Sequence, residues 1–238
     1  MENRNIKKSE QQKVVVVIPA YNEEKNIIRI IQKVKALVDE IVVVDDGSID
    51  QTYFLAQSQG IKVLKHILNR GQGAALETGN QYALKIGAEI IVHFDADGQF
   101  LAEEIKDLVE PIKNGEVDVV FGSRFLGKKS SIPWFKEKII LPIGKLVNKF
   151  FVGKSLTDSQ NGFRALSKKA VEIIKIENDH MAHNTEIQAK VFKNKFKVKE
   201  VPVTIIFNKF GQGILSGKGR GAGGLNIIKD LFLAKLMD

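Results

Sequence analysis

Ile90-Ile91-Val92-His93-Phe94-Asp95-Ala96-Asp97-Gly98-Gln99 carries an apolar run into two carboxylates one residue apart, and a glycine follows. Residues i and i+2 of a strand share a face, so Asp95 and Asp97 at a strand's end point toward the same space. Two such carboxylates repel each other unless a cation sits between them. Hard oxygen ligands of this kind suit Mg²⁺ or Mn²⁺, which complete their shell with water and substrate phosphate. A D-x-D by itself is also what an ordinary turn contains, so its meaning depends on its surroundings.

Those surroundings repeat one theme. Val14-Val15-Val16-Val17-Ile18 is a continuous apolar run ended by Pro19, as in a strand buried on both faces. Asn22-Glu23-Glu24 then starts a helix with Asn22 as its N-cap, and Ile27, Ile30, Ile31, Val34 and Leu37 recur at helical spacing. Ile41-Val42-Val43-Val44 is a second buried strand running into Asp45-Asp46-Gly47-Ser48. A helix over about 50–59, a strand at 61–64, a helix from Asn69-Arg70-Gly71-Gln72-Gly73 to about Ile86, a strand at 89–94, a helix over 101–114 and a strand at 118–121 continue the series. Alternating strand and helix predicts an α/β fold with a mostly parallel central sheet and flanking helices. Ligands of such sheets bind at the carboxyl ends of the strands. Pro19–Glu23, Asp45-Asp46, Asn69–Gly71 and Asp95–Asp97 all follow strands, so they line one rim.

The second half is less regular. Residues 128–154 hold seven lysines and one acid, and an apolar stripe at helical spacing runs from Ile139 to Phe151. This reads as a basic amphipathic helix near 132–152, suited either to a membrane surface or to packing on the sheet. Residues 157–164 form a polar loop, helices follow at 167–174 and 184–193, and strands at 198–201 and 203–207. Residues 1–13 read as a disordered tail, 14–210 as the main domain, and 211–238 as a glycine-rich mobile segment with a C-terminal amphipathic helix.

The 238 residues carry a net charge of +8 and no cysteine. Disulfides and cysteine zinc sites are therefore excluded, and the charge suits phosphorylated substrates, anionic lipid or nucleic acid. The polar start is not a signal peptide, and no apolar run is long enough to cross a membrane. Aromatics do not alternate with basic residues as a single-strand nucleic-acid platform requires. The four histidines are scattered, and no Ser, His and acid set stands out. Gly71-Gln72-Gly73 begins like a dinucleotide fingerprint, but Leu76 takes the third glycine's place. A helix start beside Arg70 is still a good diphosphate site.

Six ordered motifs carry a resemblance. Pro19–Glu23, Val44–Ser48, Asn69–Gly73, Asp95–Gln99, Gly122-Ser123-Arg124 and Asp158–Arg164 together resemble glycosyltransferase family 2, and within it the dolichyl-phosphate mannose synthase group and its polyprenyl-phosphate relatives. The resemblance covers about 14–210 and implies a GT-A fold, a GDP- or UDP-sugar donor, a divalent metal (Mg²⁺ or Mn²⁺) and inversion at the anomeric carbon. It implies that Pro19, Tyr21, Glu23, Asp45 and Asp46 hold the nucleoside and that Arg70 faces the diphosphate. Asp95, Asp97 and Gln99 hold the metal, and Arg124 binds the acceptor phosphate, with Arg164 beside it. A phosphate acceptor is already ionised and needs no base; a hydroxyl acceptor needs one, and Asp158 is the candidate. Lys136, Lys138 and Lys209-Phe210-Gly211 stand where arginines are common in the group, and Phe100-Leu101 where a proline is common. The expected enzyme is a transferase acting on a lipid phosphate, cytoplasmic and peripheral at the membrane's cytoplasmic face. A hydroxyl-acceptor transferase and a non-catalytic nucleotide- or nucleic-acid-binding module are the alternatives.

Overall fold

A computed structural model describes residues 12–127, 156–180 and 182–206. The order is β1 (Val14–Ala20), α1 (Ile27–Lys35), β2 (Glu40–Asp45), α2 (Thr52–Gln57), β3 (Lys62–Lys65), α3 (Gln72–Lys85), β4 (Ile90–His93), a 3₁₀ turn (Ala102–Glu104), α4 (Ile105–Lys113), β5 (Val119–Ser123), β6 (Arg164–Ser167), α5 (Lys168–Ile173), α6 (His183–Lys193) and β7 (Val198–Pro202). One seven-stranded sheet has the order β3-β2-β1-β4-β6-β5-β7. All its pairings are parallel except those of β6, which runs against β4 and β5.

The apolar runs behave as two-faced strands. Val14, Val16 and Ile18 pack with α1 and α4, whereas Val15 and Val17 pack with α3, α5 and α6. Each such side chain removed from water contributes about 1.5–3 kcal/mol. Helix α3 lies close on β1 because Gly79 has no side chain; a methyl group there would overlap Val17.

Four local expectations are corrected. Asn22 is no N-cap: its φ is 55°, and its side-chain oxygen accepts from Ile49 N at 3.0 Å. Its own N–H donates to Ser48 Oγ at 2.9 Å, so it ties the β1 and β2 loops together, and α1 starts only at Ile27. Residues 203–206 add no strand; Ile205 makes a single antiparallel bridge to Phe100. Strand β6 lies where the sequence predicts a loop at 157–164 giving way to a helix at 167, because only Ala165 and Leu166 in it are apolar. At the other end of the domain, Lys13 belongs to the fold, since its carbonyl accepts from Glu89 N and Ile90 N. The basic stretch 132–152, the glycine-rich segment, the last helix and most of the N-terminal tail lie outside the described residues.

Phe94, Phe100 and Phe163 form a floor beneath the D-x-D loop, with ring centroids 4.8–5.6 Å apart. Phe94 precedes the loop and Phe100 follows it, so packing fixes both of its ends.

Candidate active site

The strand-end motifs do share one rim. Asp95 leaves β4 half-buried, and its Oδ1 accepts from Gln72 Nε2 at the start of α3, at 2.7 Å. Gly162 leaves room for it: a methyl group there would sit 3.0 Å from Asp95 Oδ2. Asp97 Oδ1 accepts from Gln99 N at 3.0 Å. Gly98 turns with φ 75°, and a methyl group on it would lie 2.5 Å from the Arg29 guanidinium.

This corner is electrostatically negative. Burial, then the charge of Asp97, pushes the Asp95 carboxyl up to about 7 against the pull of Arg164 and Gln72. Burial raises Asp97 against the hydrogen bond from Gln99 N. Burial also raises Glu23 to about 7; Asn26 opposes this, and Asp97 and Asp50 add to it. Glu23 thus belongs with the D-x-D electrostatically. Among the described residues no three His, Cys, Asp or Glu side chains already stand as a metal-binding group. Two carboxylates crowded at a loop fit Mg²⁺ or Mn²⁺, because such ions commonly take one or two protein carboxylates plus substrate phosphate.

Toward β2, the two adjacent aspartates diverge. Asp45 is buried, and among the described residues neither of its carboxylate oxygens meets a donor. Asp46, expected at the nucleoside, is turned to the protein instead. Its carboxylate accepts from His66 Nδ1 at 2.6 Å, Arg70 N at 3.0 Å and Gly71 N at 2.7 Å. His66 in turn meets Thr78 Oγ1 at 3.0 Å. Pro19 is buried in β1, and Tyr21 stands exposed on the rim.

The helix start also departs from expectation. The N–H groups of Gly73 and Ala74 point at the Asp179 carbonyl, at 2.8 and 3.4 Å, and those of Arg70 and Gly71 at Asp46. They are engaged within the protein rather than presented to a diphosphate. Gly71 (φ 111°) and Gly73 are required because side chains there would overlap the backbone of Asn178 and Asp179. The Arg70 side chain itself remains 57% exposed, 3.7 Å from Asp179 Oδ1.

On the other side of β4 the rim carries a cation. Arg124, just after β5, donates from Nε and Nη2 to the two oxygens of Asp158, each at 2.6 Å, and from its backbone N at 3.1 Å. Asp158 is buried, and the Arg124 side chain is 16% exposed. A buried carboxylate holding three donors, one pair bidentate with a guanidinium, is turned to the protein rather than to an acceptor hydroxyl, which corrects the expectation for Asp158. Arg164 is corrected too. It is wholly buried, with its guanidinium on the Gly162 carbonyl and Asn184 Oδ1. Burial lowers its pKa to about 10 while Asp95 opposes the change, so it is a buried cation in the field of Asp95. His93 and His183 stay neutral around it, both lowered by burial and by Arg164. The sequence marks none of Gln72, His66 and Arg29 as a site residue, although Gln72 lies within the Asn69–Gly73 motif.

Residues 15–175 match the family described as Glycosyl transferase family 2. The chain is 32% identical to the UDP-N-acetylglucosamine–dolichyl-phosphate N-acetylglucosaminyltransferase of Methanococcus voltae over 83% of this chain and 87% of that one. It is 29% identical to the polyprenol monophosphomannose synthase of Mycolicibacterium smegmatis over 87% and 82%. In fold it is similar to glucosyl-3-phosphoglycerate synthase from Mycobacterium tuberculosis, crystallised with Mn²⁺, UDP and phosphoglyceric acid, with a TM-score of 0.70 at 20% identity over 94% of this chain and 78% of that one. With the family match covering most of the alternating sheet and four of its strand-end motifs, this chain belongs to glycosyl transferase family 2 and has its GT-A fold.

Proposed function

We propose that this glycosyltransferase moves a sugar from a GDP- or UDP-sugar to a polyprenyl monophosphate. The observation that carries the reading is the Arg124–Asp158 pair. The one carboxylate that the acceptor side offered as a base is neutralised, and what it holds in place is a guanidinium. That arrangement suits an acceptor that arrives as an anion and needs no deprotonation.

The donor lies along β1, β2 and β4. Asp45, whose buried oxygens meet no donor among the described residues, takes hydrogen bonds from the nucleoside, with Pro19 and Tyr21 beside it. Arg70 meets the diphosphate. Asp95 and Asp97, with Gln99 as a third support, hold Mg²⁺ or Mn²⁺, and Glu23 adds to their field. The bound metal supplies charge stabilisation for the departing nucleoside diphosphate. Arg124 orients the acceptor phosphate so that its oxygen attacks the anomeric carbon opposite the diphosphate. The carbon–oxygen bond to the diphosphate breaks, and the configuration inverts. None of the described helices is long and apolar enough to cross a membrane. The lysine-rich apolar stretch at 128–154 supports peripheral attachment to a membrane holding the lipid.

The test is transfer of radiolabelled sugar from a panel of GDP- and UDP-sugars in the presence of polyprenyl phosphate. The label should enter an organic-extractable product that mild acid hydrolyses. A water-soluble, acid-stable product would instead indicate a hydroxyl acceptor. Nucleotide binding with no turnover of any donor would indicate a binding module.

A further inference from the structure

Glu200 has no part in the chemistry described so far. It stands in β7, the edge strand farthest from β3, in register with Phe121 of β5. Its carboxylate nonetheless reaches across to the rim. It accepts from Thr157 N at 2.8 and 3.0 Å, from Thr157 Oγ1 at 2.7 Å, and from Asp158 N at 3.4 Å. The single Thr157 hydroxyl proton goes to Glu200. The 2.6 Å contact between Ser123 Oγ and Thr157 Oγ1 therefore has Ser123 as donor. Ser123 Oγ in turn accepts from Phe125 N at 3.2 Å. One carboxylate thus gathers the residues on both sides of Arg124 and the loop carrying Asp158.

We propose that Glu200 is a positioning residue for Arg124, acting through Thr157 and Asp158 to fix the guanidinium at the acceptor phosphate. The proposal rests on the reading of Arg124 as the acceptor ligand. Its physical content is that Asp158 can hold a guanidinium plane only if its own backbone is fixed. Thr157 and Asp158 belong to no strand, so their N–H groups have no ladder partner. The carboxylate serves both, a second anchor behind the first. Glutamine has nearly the same shape but replaces one acceptor oxygen with an NH₂ group. At Glu200 that group, even placed on the Oε2 side, would face the Thr157 N–H from which Oε2 now accepts at 3.0 Å, and on the Oε1 side it would meet both backbone N–H groups.

The test uses the full chain and two independent measurements. The first is the ¹H–¹⁵N resonance of Arg124 Nε, identified by its loss in Arg124→Lys. In Glu200→Gln it should move toward the free-guanidinium position or broaden; an unchanged resonance overturns the relay. The second is titration of geranyl phosphate into protein loaded with UDP and Mn²⁺. Glu200→Gln should bind it about 10-fold more weakly and Arg124→Ala about 100-fold, with UDP affinity unchanged. Glu200→Gln combined with Arg124→Ala should bind no more weakly than Arg124→Ala alone, because the first acts only through the second. Additive losses overturn the relay. If Arg124→Ala binds geranyl phosphate as the parent does, the acceptor reading fails, and the resonance still decides the relay. Should Glu200→Gln fold poorly, Thr157→Val removes the hydroxyl link while keeping the side chain's shape; it should shift the same resonance, and a null result there overturns the proposal.

Discussion

Asp95 and Asp158 are carboxylates at the same edge of one sheet, yet their surroundings are opposite. Burial, and after it the charge of Asp97, raises the Asp95 carboxyl to about 7, whereas Asp158 is matched by Arg124 at 2.6 Å. On the reading proposed above, the donor side of the rim gathers carboxylates, and the acceptor side holds a guanidinium fixed by a carboxylate partner. That division would suit transfer of a sugar from a nucleoside diphosphate to a phosphate acceptor. A cation supplied with the donor completes the first half, and an anion supplied by the acceptor completes the second.

The largest expected effect breaks the donor half alone. Asp97→Ala should lower transfer by about 10³-fold or more, the scale for losing a preorganised charge partner of the leaving group. The fold should survive, because the substitution relieves repulsion with Asp95 and Glu23. Chelation of divalent metal should reproduce the loss in the parent. Circular dichroism with a transfer assay checks both, and retained transfer in Asp97→Ala would remove the metal from this corner.

The next effect breaks the acceptor half. Asp158→Asn leaves the donor pocket untouched but loosens the Arg124 plane. It should raise KM for the lipid phosphate by roughly 10²-fold, the scale of a misplaced orienting group, while KM for the nucleotide sugar stays level. Its pH–rate profile should keep both limbs. Loss of the acidic limb, with kcat lowered and acceptor KM unchanged, would return Asp158 to the role of general base.

The same contrast explains what could be read from the sequence. The donor half follows from local rules. Val14–Ile18, Ile41–Val44 and Ile90–Val92 each announce a buried strand, and each is followed at once by its polar motif. The acceptor half depends on partners far apart in the chain. Arg124 meets Asp158 across 34 residues, and Thr157 meets Glu200 across 43. No periodicity marks such pairs, and β6 has too few apolar residues to announce itself. Even in the donor half, long-range docking misled. Gly71-Gln72-Gly73 suggested a phosphate cradle, but its glycines admit the backbone of Asn178 and Asp179.

That last point can be sharpened by Gly73→Ala. The added methyl group must displace the Asn178 carbonyl and with it the carbonyl that caps α3. Overpacking of this kind costs about 1–3 kcal/mol. Urea denaturation should show the loss, and geranyl phosphate binding should be unaffected. Weaker UDP binding with no loss of stability would restore the phosphate reading of the glycines.

The smallest effect is the pH dependence of the metal-free fold. Asp95 is near 7 when folded against 3.8 for a free carboxyl. Between those values the folded chain keeps a proton that the unfolded chain has released. Stability therefore falls as pH rises from about 4 to 7 and is level above that. Asp97 and Glu23 act in the same direction. His183, lowered to about 4 from 6.5, and His93, also lowered, act the other way: below 6.5 the unfolded chain takes up protons that these buried rings refuse, so their contribution rises with pH. The two sets oppose each other, and the parent's own profile should be shallow. The difference between Asp95→Asn and the parent removes the histidines from the comparison. Thermal melts from about pH 4.5 to 7.5 should show the variant gaining on the parent until about pH 7 and then holding its lead. Parallel curves across that range would mean that Asp95 ionises normally, and that the negative corner is relieved from within the protein before any metal arrives.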